Sequence, residues 1–256
     1  MTIKICRFVA PLCPEPTYAE VHDDALAPFG SGDPFSGYEL RGERIPLSDA
    51  RILVPVSPSK IVCVGRNYVE HAAELGNEMP DEPLLFLKPP SALVGPGQEI
   101  RIPVQSQQVE YEGEIGVVVG RTASYLTEND DPFEYVYGYT AVNDVTARDL
   151  QRKDVQFTRG KSFDTFCPAG PVIARGLAHE NLTVQTRVNG VVKQHGSSSQ
   201  MAFSIAFLIR YISNIMTLFP GDLIATGTPA GVSKLSPGDE VDITVSGVGT
   251  LRNRVV

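Results

Sequence analysis

Three glutamates stand at every second position of the sequence VEYEGEIGVVVG, which occupies residues 109–120. They are Glu110, Glu112 and Glu114, and an apolar run follows them directly. Side chains at positions i, i+2 and i+4 of a β-strand point to one face, so this stretch predicts a row of carboxylates on one side of a sheet. Neighbouring carboxylates repel one another and raise each other's pKa. Such a row indicates a solvated face, acid–base chemistry or a bound cation.

A cation site needs further oxygen ligands, and by its position Asp144 is the best candidate for one. This aspartate directly follows a predicted strand, 138–143, whose end could bring it beside Glu112 and Glu114. The strand rise predicts that the Cβ atoms of the two glutamates lie ~6–7 Å apart, close enough for both to reach one ion. Mg²⁺ prefers oxygen ligands of this kind. On spacing alone, a solvated strand edge explains the alternation equally well.

A histidine and a glutamate form a second group of candidates. His71 and Glu74 are three residues apart on a predicted short helix, 68–75, and so share one face of it. A carboxylate bonded to one ring nitrogen orients the imidazole and raises its basicity, and the other nitrogen could then deprotonate water. The plainer alternative is a hydrogen bond on a surface helix. Asn67 is expected to cap this helix, and Gly76 to follow its end.

Two cationic residues and a glycine-rich turn complete the candidates. Arg148 follows Asp144 by four residues and could point toward the same site. A lysine at the site, Lys161, could stabilise negative charge that develops on an oxygen atom. Surface ion pairs are the plainer explanation for both cations. The turn TGTPAG at 226–231 could offer N–H groups and a hydroxyl to a carboxylate, but it lacks the lysine of a phosphate-binding P-loop.

Strands dominate the elements that must hold these residues. An Asn-Gly pair between the apolar-alternating arms 183–188 and 191–194 predicts a β-hairpin. Residues 205–216 predict an amphipathic helix with Ser204 as its N-cap. No regular alternation of strands and helices occurs, which disfavours a Rossmann or TIM-barrel fold. The prediction is an α+β protein that is predominantly β.

Prolines at residues 55–58 predict a boundary between two parts of the chain. The first part, 1–58, is predicted to be a small β-rich module without recognisable chemistry. The second part, 59–256, contains every candidate residue and is predicted to be the larger domain. A chain of 256 residues is long enough to bury a core of that size.

The composition is that of an ordinary globular protein, with 42% hydrophobic and 20% charged residues. The net charge is −8 and no Lys/Arg-rich run occurs, which disfavours a nucleic-acid partner. No apolar segment reaches a membrane-spanning length, and no secretory signal is predicted. The four cysteines show no CxxC spacing, which favours a reduced protein in the cytoplasm without a zinc site.

Six motifs occur together and in order along the chain. They are GRNYxxHxxE (65–74), LFLKP (85–89), YEGEIGVVVG (111–120), NDVTARDLQ (143–151), KSFDTFCPAGP (161–171) and TGTPAGV (226–232). As a set, they resemble the fumarylacetoacetate hydrolase family over about residues 60–256. The members that the chain resembles include acylpyruvases, oxaloacetate decarboxylases or tautomerases, and 2-hydroxyhepta-2,4-diene-1,7-dioate isomerases. The first module resembles the variable small domain of the family more loosely.

The resemblance implies a mixed β-roll, usually in a homodimer, and a Mg²⁺ or Mn²⁺ ion held by Glu112, Glu114 and Asp144. Family members often have an aspartate where this chain has Glu110. Glu110 is therefore expected either to lie behind the metal ligands or to be exposed to solvent.

The resemblance also implies roles for the remaining candidates. His71 and Glu74 match the pair that activates water on a lid segment, and Lys161 matches the lysine beside the metal. The substrate-facing positions are matched by Arg148, Gln151 and Thr228.

The implied substrate is a small 2-oxo acid that binds the metal through its carboxylate and keto oxygens. Metal-stabilised enolate formation would then serve C–C hydrolysis, decarboxylation or isomerisation, so the sequence does not choose among these reactions. The alternative from another class is a non-catalytic protein that binds small acids or metal on the same scaffold. Neither a nucleic acid nor a membrane is expected as a partner.

Overall fold

The computed structural model describes residues 2–256, which form twenty strands and four α-helices. The helices are α1 Val69–Glu74, α2 Arg148–Lys153, α3 Thr158–Lys161 and α4 Ile205–Ser213. The strands are β1 Ile3–Ala10, β2 Cys13–His22, β3 Ala25–Asp33, β4 Gly37–Leu40, β5 Ile45–Pro46, β6 Arg51–Leu53, β7 Ile61–Gly65, β8 Leu84–Lys88, β9 Leu93–Val94, β10 Glu99–Ile100, β11 Val109–Glu110, β12 Gly113–Val119, β13 Val136–Asn143, β14 Thr146–Ala147, β15 Cys167–Arg175, β16 Thr183–Val188, β17 Val191–Ser197, β18 Leu223–Ala225, β19 Glu240–Val245 and β20 Gly249–Val255.

Thirteen strands form one mixed sheet whose central path runs β4-β3-β2-β1-β15-β13-β12-β18-β7-β8. Most neighbours in it are antiparallel, whereas β18 and β7 are parallel. Every residue of β12 is buried, because this strand has neighbours on both edges and packed layers on both faces. Its sequence GEIGVVV is accordingly an almost continuous run of small and apolar residues. The predicted α+β fold with a predominance of strands is confirmed.

A second sheet, in the order β10-β20-β19-β16-β17, packs against the large one. Apolar side chains from the two sheets meet in the main core, among them Ile115 and Val117 of β12 and Val184 of β16. The predicted hairpin is present here as β16 and β17. Its turn residues Asn189 and Gly190 both have positive φ, as a two-residue hairpin turn requires.

The first strands of the chain continue the large sheet. Strand β1 pairs antiparallel with β15, with Ile3 opposite Arg175. The division of the chain near residue 58 stays a prediction. No helix within residues 2–256 combines the length and the apolar character needed to cross a bilayer. All four cysteines are buried and none forms a disulfide.

The helix that carries His71 begins differently from the prediction. Tyr68 precedes α1 without a side-chain cap, so the assignment of Asn67 as N-cap is wrong. The Asn67 carboxamide instead donates to the carbonyls of Phe203 (3.1 Å) and Thr226 (2.8 Å) and accepts the Phe203 N–H (2.8 Å). Because these bonds satisfy a fully buried amide, Asn67 ties the start of the helix to two distant loops.

The predicted ends of two helices are confirmed in part. Gly76, just beyond α1, has the positive φ of a residue that follows a helix. The Ser204 hydroxyl accepts the Phe207 N–H and caps α4 as predicted, but the helix ends at Ser213 rather than Met216.

Candidate active site

The three glutamates of the acidic stretch do not share one strand, so the predicted single row is wrong. Glu110 ends the short strand β11, which pairs with β14, whereas Glu114 lies in β12 of the large sheet. Tyr111 and Glu112 carry the chain from one sheet to the other. Strand alternation alone does not reveal this crossing, because the residue pattern continues through it.

Glu112 and Glu114 nevertheless converge with Asp144. One carboxylate oxygen from each residue lies within 4.8 Å of the other two, and all three residues are buried. The strand register explains the meeting, because Asn143 at the end of β13 stands opposite Gly113. The next residue, Asp144, donates its N–H to the Glu112 carbonyl at 2.8 Å.

Two buried lysines contact this carboxylate cluster. Lys161, at the end of α3, donates from Nζ to Glu112 (2.6 Å) and to Asp144 (2.7 Å). Lys88, at the end of β8, pairs with the other oxygen of Asp144 and donates to the Val145 carbonyl at 3.0 Å. Because buried charges are costly unless they are paired, these contacts make the cluster one electrostatic unit.

A buried arginine closes the same unit on its other side. Arg148 donates from Nε to Glu110 at 2.7 Å, and a second nitrogen pairs with Glu112. Glu110 is 5% exposed and also accepts from the Gln108 amide at 2.6 Å. The exposed alternative for Glu110 is therefore wrong. This carboxylate lies behind Glu112 and is neutralised by the arginine.

The cluster holds one carboxylate more than it has cations. Glu114 is the member without a cationic partner among residues 2–256, and it accepts only the Gly227 N–H, at 2.8 Å. The carboxylates are Glu110, Glu112, Glu114 and Asp144, and the cations are Lys88, Arg148 and Lys161.

The pKa values of the two glutamates in this cluster are shifted in opposite directions. Burial alone would raise the pKa of Glu112, but Lys161 and Arg148 outweigh it and hold that pKa far below its usual range. Burial raises the pKa of Glu114 well above its usual range, and the carboxylates of Asp144 and Glu112 add to the rise. The charged form of Glu114 is thus unfavourable until another cation joins the cluster.

The donor set fits a divalent cation such as Mg²⁺ or Mn²⁺. Glu112, Glu114 and Asp144 offer only carboxylate oxygens, which are the ligands that these hard ions prefer. A divalent ion would offset the surplus carboxylate and pair with Glu114. These three residues are the ones that would hold it.

The predicted pair of His71 and Glu74 lies at the edge of the same site. His71 Nδ1 is 3.2 Å from the Glu74 carboxylate, and the imidazole is 5% exposed. Glu74 also accepts the Gly231 N–H, with its two oxygens at 3.0 and 3.2 Å. The glutamate therefore orients the histidine and ties α1 to the glycine-rich turn that the sequence singled out.

One cavity of about 290 Å³ joins these groups. His71 and Lys161 line it together with the three convergent carboxylates, whereas Glu74 lies behind His71. The remaining lining residues are Val64, Gly65, Arg66, Leu75, Asn77, Phe86, Arg148, Gln151, Arg152, Phe157 and Thr228.

The three residues predicted to face substrate all line the cavity, yet the side chain of each also forms hydrogen bonds within the protein. Arg148 donates to the side chain of Gln151 at 2.6 Å, in addition to its two carboxylate contacts. The Thr228 hydroxyl donates to the Gly113 carbonyl at 2.9 Å and accepts from Gln194 at 2.7 Å. Their role in binding substrate stays a proposal.

Sequence reasoning missed Lys88, Arg66 and Gln194. A lysine that ends an apolar strand, as in LFLKP, is a usable signal, because a lysine that is buried there is almost always paired. Arg66 lies within the motif GRNYxxHxxE, but nothing in its residue type indicates a side chain without a partner in the protein. Gln194 lies in a hairpin far along the sequence and carried no signal at all.

Residues 60–256 match the family described as fumarylacetoacetate (FAA) hydrolase C-terminal, which is most of the chain. The chain belongs to the fumarylacetoacetate hydrolase family. This match begins just before β7, at whose end the first sequence motif starts, and it contains all the carboxylates described above. Members of this family are enzymes, and the chain is an enzyme of this family.

Two relatives of this hydrolase-family chain have names that state an activity. It is 44% identical over 232 residues to oxaloacetate tautomerase YisK of Bacillus subtilis, covering 85% of this chain and 77% of that protein. It is 42% identical over 225 residues to the human mitochondrial oxaloacetate tautomerase FAHD2A, covering 83% of this chain and 71% of that protein.

A solved structure shares the whole architecture. The 2-hydroxyhepta-2,4-diene-1,7-dioate isomerase from Mycobacterium marinum superposes with a TM-score of 0.90 at 39% sequence identity. The superposition covers 99% of this chain and 98% of the other one, so it includes the strands that precede residue 60. The family's mixed β fold therefore holds for this chain.

Proposed function

We propose that this family member is a divalent-metal-dependent enzyme that interconverts the keto and enol forms of small 2-oxo acids, with oxaloacetate as the model substrate. The convergence of Glu112, Glu114 and Asp144 in a cavity with one uncompensated carboxylate carries the proposal. The names of the relatives, two oxaloacetate tautomerases and a diene-dioate isomerase, support enol chemistry rather than another reaction of an acidic cluster.

A bound Mg²⁺ or Mn²⁺ supplies Lewis-acid polarisation of the kind that makes the carbon beside a keto group acidic. The chain's own contribution begins with Lys161. Burial would lower the pKa of this lysine, but Asp144 and Glu112 outweigh burial and raise it. Lys161 is thus an ammonium ion, which stabilises negative charge on a substrate oxygen and is unsuited to act as the base.

His71 is the proton carrier in this proposal. With Nδ1 bonded to Glu74, its Nε2 is the ring nitrogen left to exchange a proton with a substrate in the cavity. Glu74 holds the imidazole in place for this exchange. The phenyl rings of Phe86 and Phe157 also line the cavity and exclude water from one wall.

Hydrolytic cleavage of acylpyruvates is the second candidate reaction. The same His71–Glu74 pair that could move a substrate proton could also deprotonate a water molecule. Both reactions, and decarboxylation, start from the same bound 2-oxo acid. Only the position of the proton acceptor relative to substrate or water separates them.

A substrate panel tests the proposal. Wild-type protein is assayed with oxaloacetate, acetylpyruvate and a 2-hydroxydiene-dioate, with Mg²⁺ or Mn²⁺ and then with EDTA. We expect rapid keto–enol relaxation of oxaloacetate that EDTA abolishes. Binding of all three acids without turnover of any would refute the proposal and favour the non-catalytic alternative.

Replacing the histidine separates the reactions. His71→Ala is expected to slow tautomerisation by roughly 10²–10⁴-fold, the usual contribution of a positioned acid–base group. His195→Ala, which removes an exposed histidine of β17, is the matched control and is expected to keep full activity. If His71→Ala loses only acetylpyruvate hydrolysis and keeps tautomerisation, then His71 serves water activation instead.

A further inference from the structure

Arg66 is held at the end of β7 in a conformation that arginine rarely adopts. Its φ is +56°, in the left-handed region where non-glycine residues are uncommon. The next residue, Asn67, is fixed by three hydrogen bonds to Phe203 and Thr226, so the turn has little freedom to relax. Backbone of this kind concentrates at functional sites, where the surrounding structure imposes it.

The Arg66 side chain lines the cavity but has no partner within residues 2–256. It is half-buried, and neither a carboxylate nor a carbonyl accepts from it. The other cations nearest the carboxylates, Arg148 and Lys161, are each committed to two of those groups. Arg66 is therefore the half-buried cation of the cavity that is left for a ligand.

The charge of the site indicates what that ligand must carry. When all of its groups are ionised, the cluster has four carboxylates and three cations, so a divalent ion would leave one positive charge. The carboxylate that lies beside the keto group of a 2-oxo acid would cancel that charge. Arg66 still has no partner within residues 2–256, and a second carboxylate on the substrate would pair with it.

Arg152 is the remaining arginine of the cavity wall and a weaker candidate. It is exposed, and it donates to the Gln108 side chain at 3.4 Å. An exposed guanidinium is solvated and screened, so it discriminates less between ligands than a half-buried one.

We propose that Arg66 binds the distal carboxylate of a dicarboxylic 2-oxo acid and thereby selects dianionic over monoanionic substrates. The planar guanidinium can donate two parallel hydrogen bonds to a carboxylate, which gives both strength and orientation. This inference rests on the proposed function, because it assumes that the other end of the acid binds at Glu112, Glu114 and Asp144.

The test compares ligands that differ by one charge at constant size. Malate and its 4-amide are titrated by calorimetry into Mg²⁺-loaded protein, since neither can react as a 2-oxo acid. Initial rates are then measured with oxaloacetate and its 4-amide. The variants are Arg66→Asn, which tolerates the left-handed backbone, and Arg66→Lys, which keeps the charge. The control Arg101→Gln removes an exposed arginine that lies outside the cavity lining.

We expect the wild type to bind malate about tenfold to a hundredfold more tightly than the amide, the range of a charge-assisted hydrogen bond. Arg66→Asn should remove this preference, Arg66→Lys should keep part of it, and Arg101→Gln should keep all of it. An Arg66→Asn variant that still prefers malate, or a wild type that does not, would overturn the inference. If no 2-oxo acid is turned over while the preference depends on Arg66, the proposed reaction fails and the inference stands.

Discussion

Lys88 shows how one side chain supports the candidate metal site without facing the cavity. It is fully buried at the end of β8, and its ammonium group contacts Asp144 and the Val145 carbonyl. Asp144 is thereby shared between Lys88 and Lys161, one for each carboxylate oxygen. This arrangement fixes the orientation of the carboxylate before any cation arrives.

Replacing Lys88 with methionine tests this support. The change leaves a buried Asp144 oxygen without its cation, and breaking a buried pair from one side typically costs about 3–5 kcal/mol. We expect urea denaturation of the metal-free variant to show a loss of that size. Lys193→Met, at an exposed position of β17, should stay within about 0.5 kcal/mol of wild type.

A double variant distinguishes charge from packing. Adding Asp144→Asn to Lys88→Met removes the unpaired charge, so the double variant should be more stable than Lys88→Met alone. If Lys88→Met is as stable as wild type, Lys88 does not hold Asp144 and the account of the cluster is wrong at this residue.

The strand β12 depends on the second sheet for its position. A Cβ atom at Gly113 would lie 2.0 Å from the Thr186 hydroxyl of β16, so only glycine allows the two sheets to approach this closely. Gln194 of β17 then reaches the Gly113 N–H at 3.0 Å. The glycine between the two glutamates is thus what lets the hairpin brace them.

Gly113→Ala is expected to push the strand away from the hairpin. Overpacking of a core typically costs about 1–3 kcal/mol, and the short contact places this variant near the upper end. The Thr186 hydroxyl is buried without a hydrogen-bond partner. Thr186→Ala alone therefore breaks no hydrogen bond of this hydroxyl and should lower the free energy of unfolding only slightly. The double variant should recover most of the loss in thermal denaturation. Additive effects of the two changes would show that the clash does not govern the strand's position.

The amino-acid sequence predicted some structural elements correctly and others incorrectly. The hairpin at Asn189-Gly190 and the Ser204 cap follow from local backbone chemistry, and both are present. Asn67 has the residue type of a helix cap. Its amide instead donates hydrogen bonds to the carbonyls of Phe203 and Thr226, which are 136 and 159 residues further along the chain. A local rule does not foresee such a distant partner.

The candidate site shows the same limit. The residue types and motif spacing indicated Glu112, Glu114 and Asp144 together, and the structure brings their oxygens within reach of one ion. The pairing of each carboxylate with a particular cation depends on the register of strands and on α2 and α3. Sequence therefore predicted neither the Lys88 contact nor the burial of Glu110.

The molecule as a whole places its reactive groups at a junction of layers. Glu114 lies in β12 of the large sheet, and Glu112 and Asp144 lie directly beside the ends of β12 and β13. Gln194 of the second sheet braces this region, and His71 of α1 covers it. The first strands of the chain join the same large sheet through the pairing of β1 with β15. A homodimer and a cytoplasmic location stay predictions.

Binding of a divalent cation by the acidic cluster is the central claim, and titration calorimetry tests it most directly. Mn²⁺ is titrated into EDTA-stripped wild type, Glu114→Gln and the matched control Glu110→Gln, whose carboxylate is already paired with Arg148. We expect one site per chain in wild type, a loss of about tenfold in Glu110→Gln, and a loss well beyond roughly a hundredfold in Glu114→Gln. Wild-type affinity in Glu114→Gln, or no binding by wild type, would contradict the account.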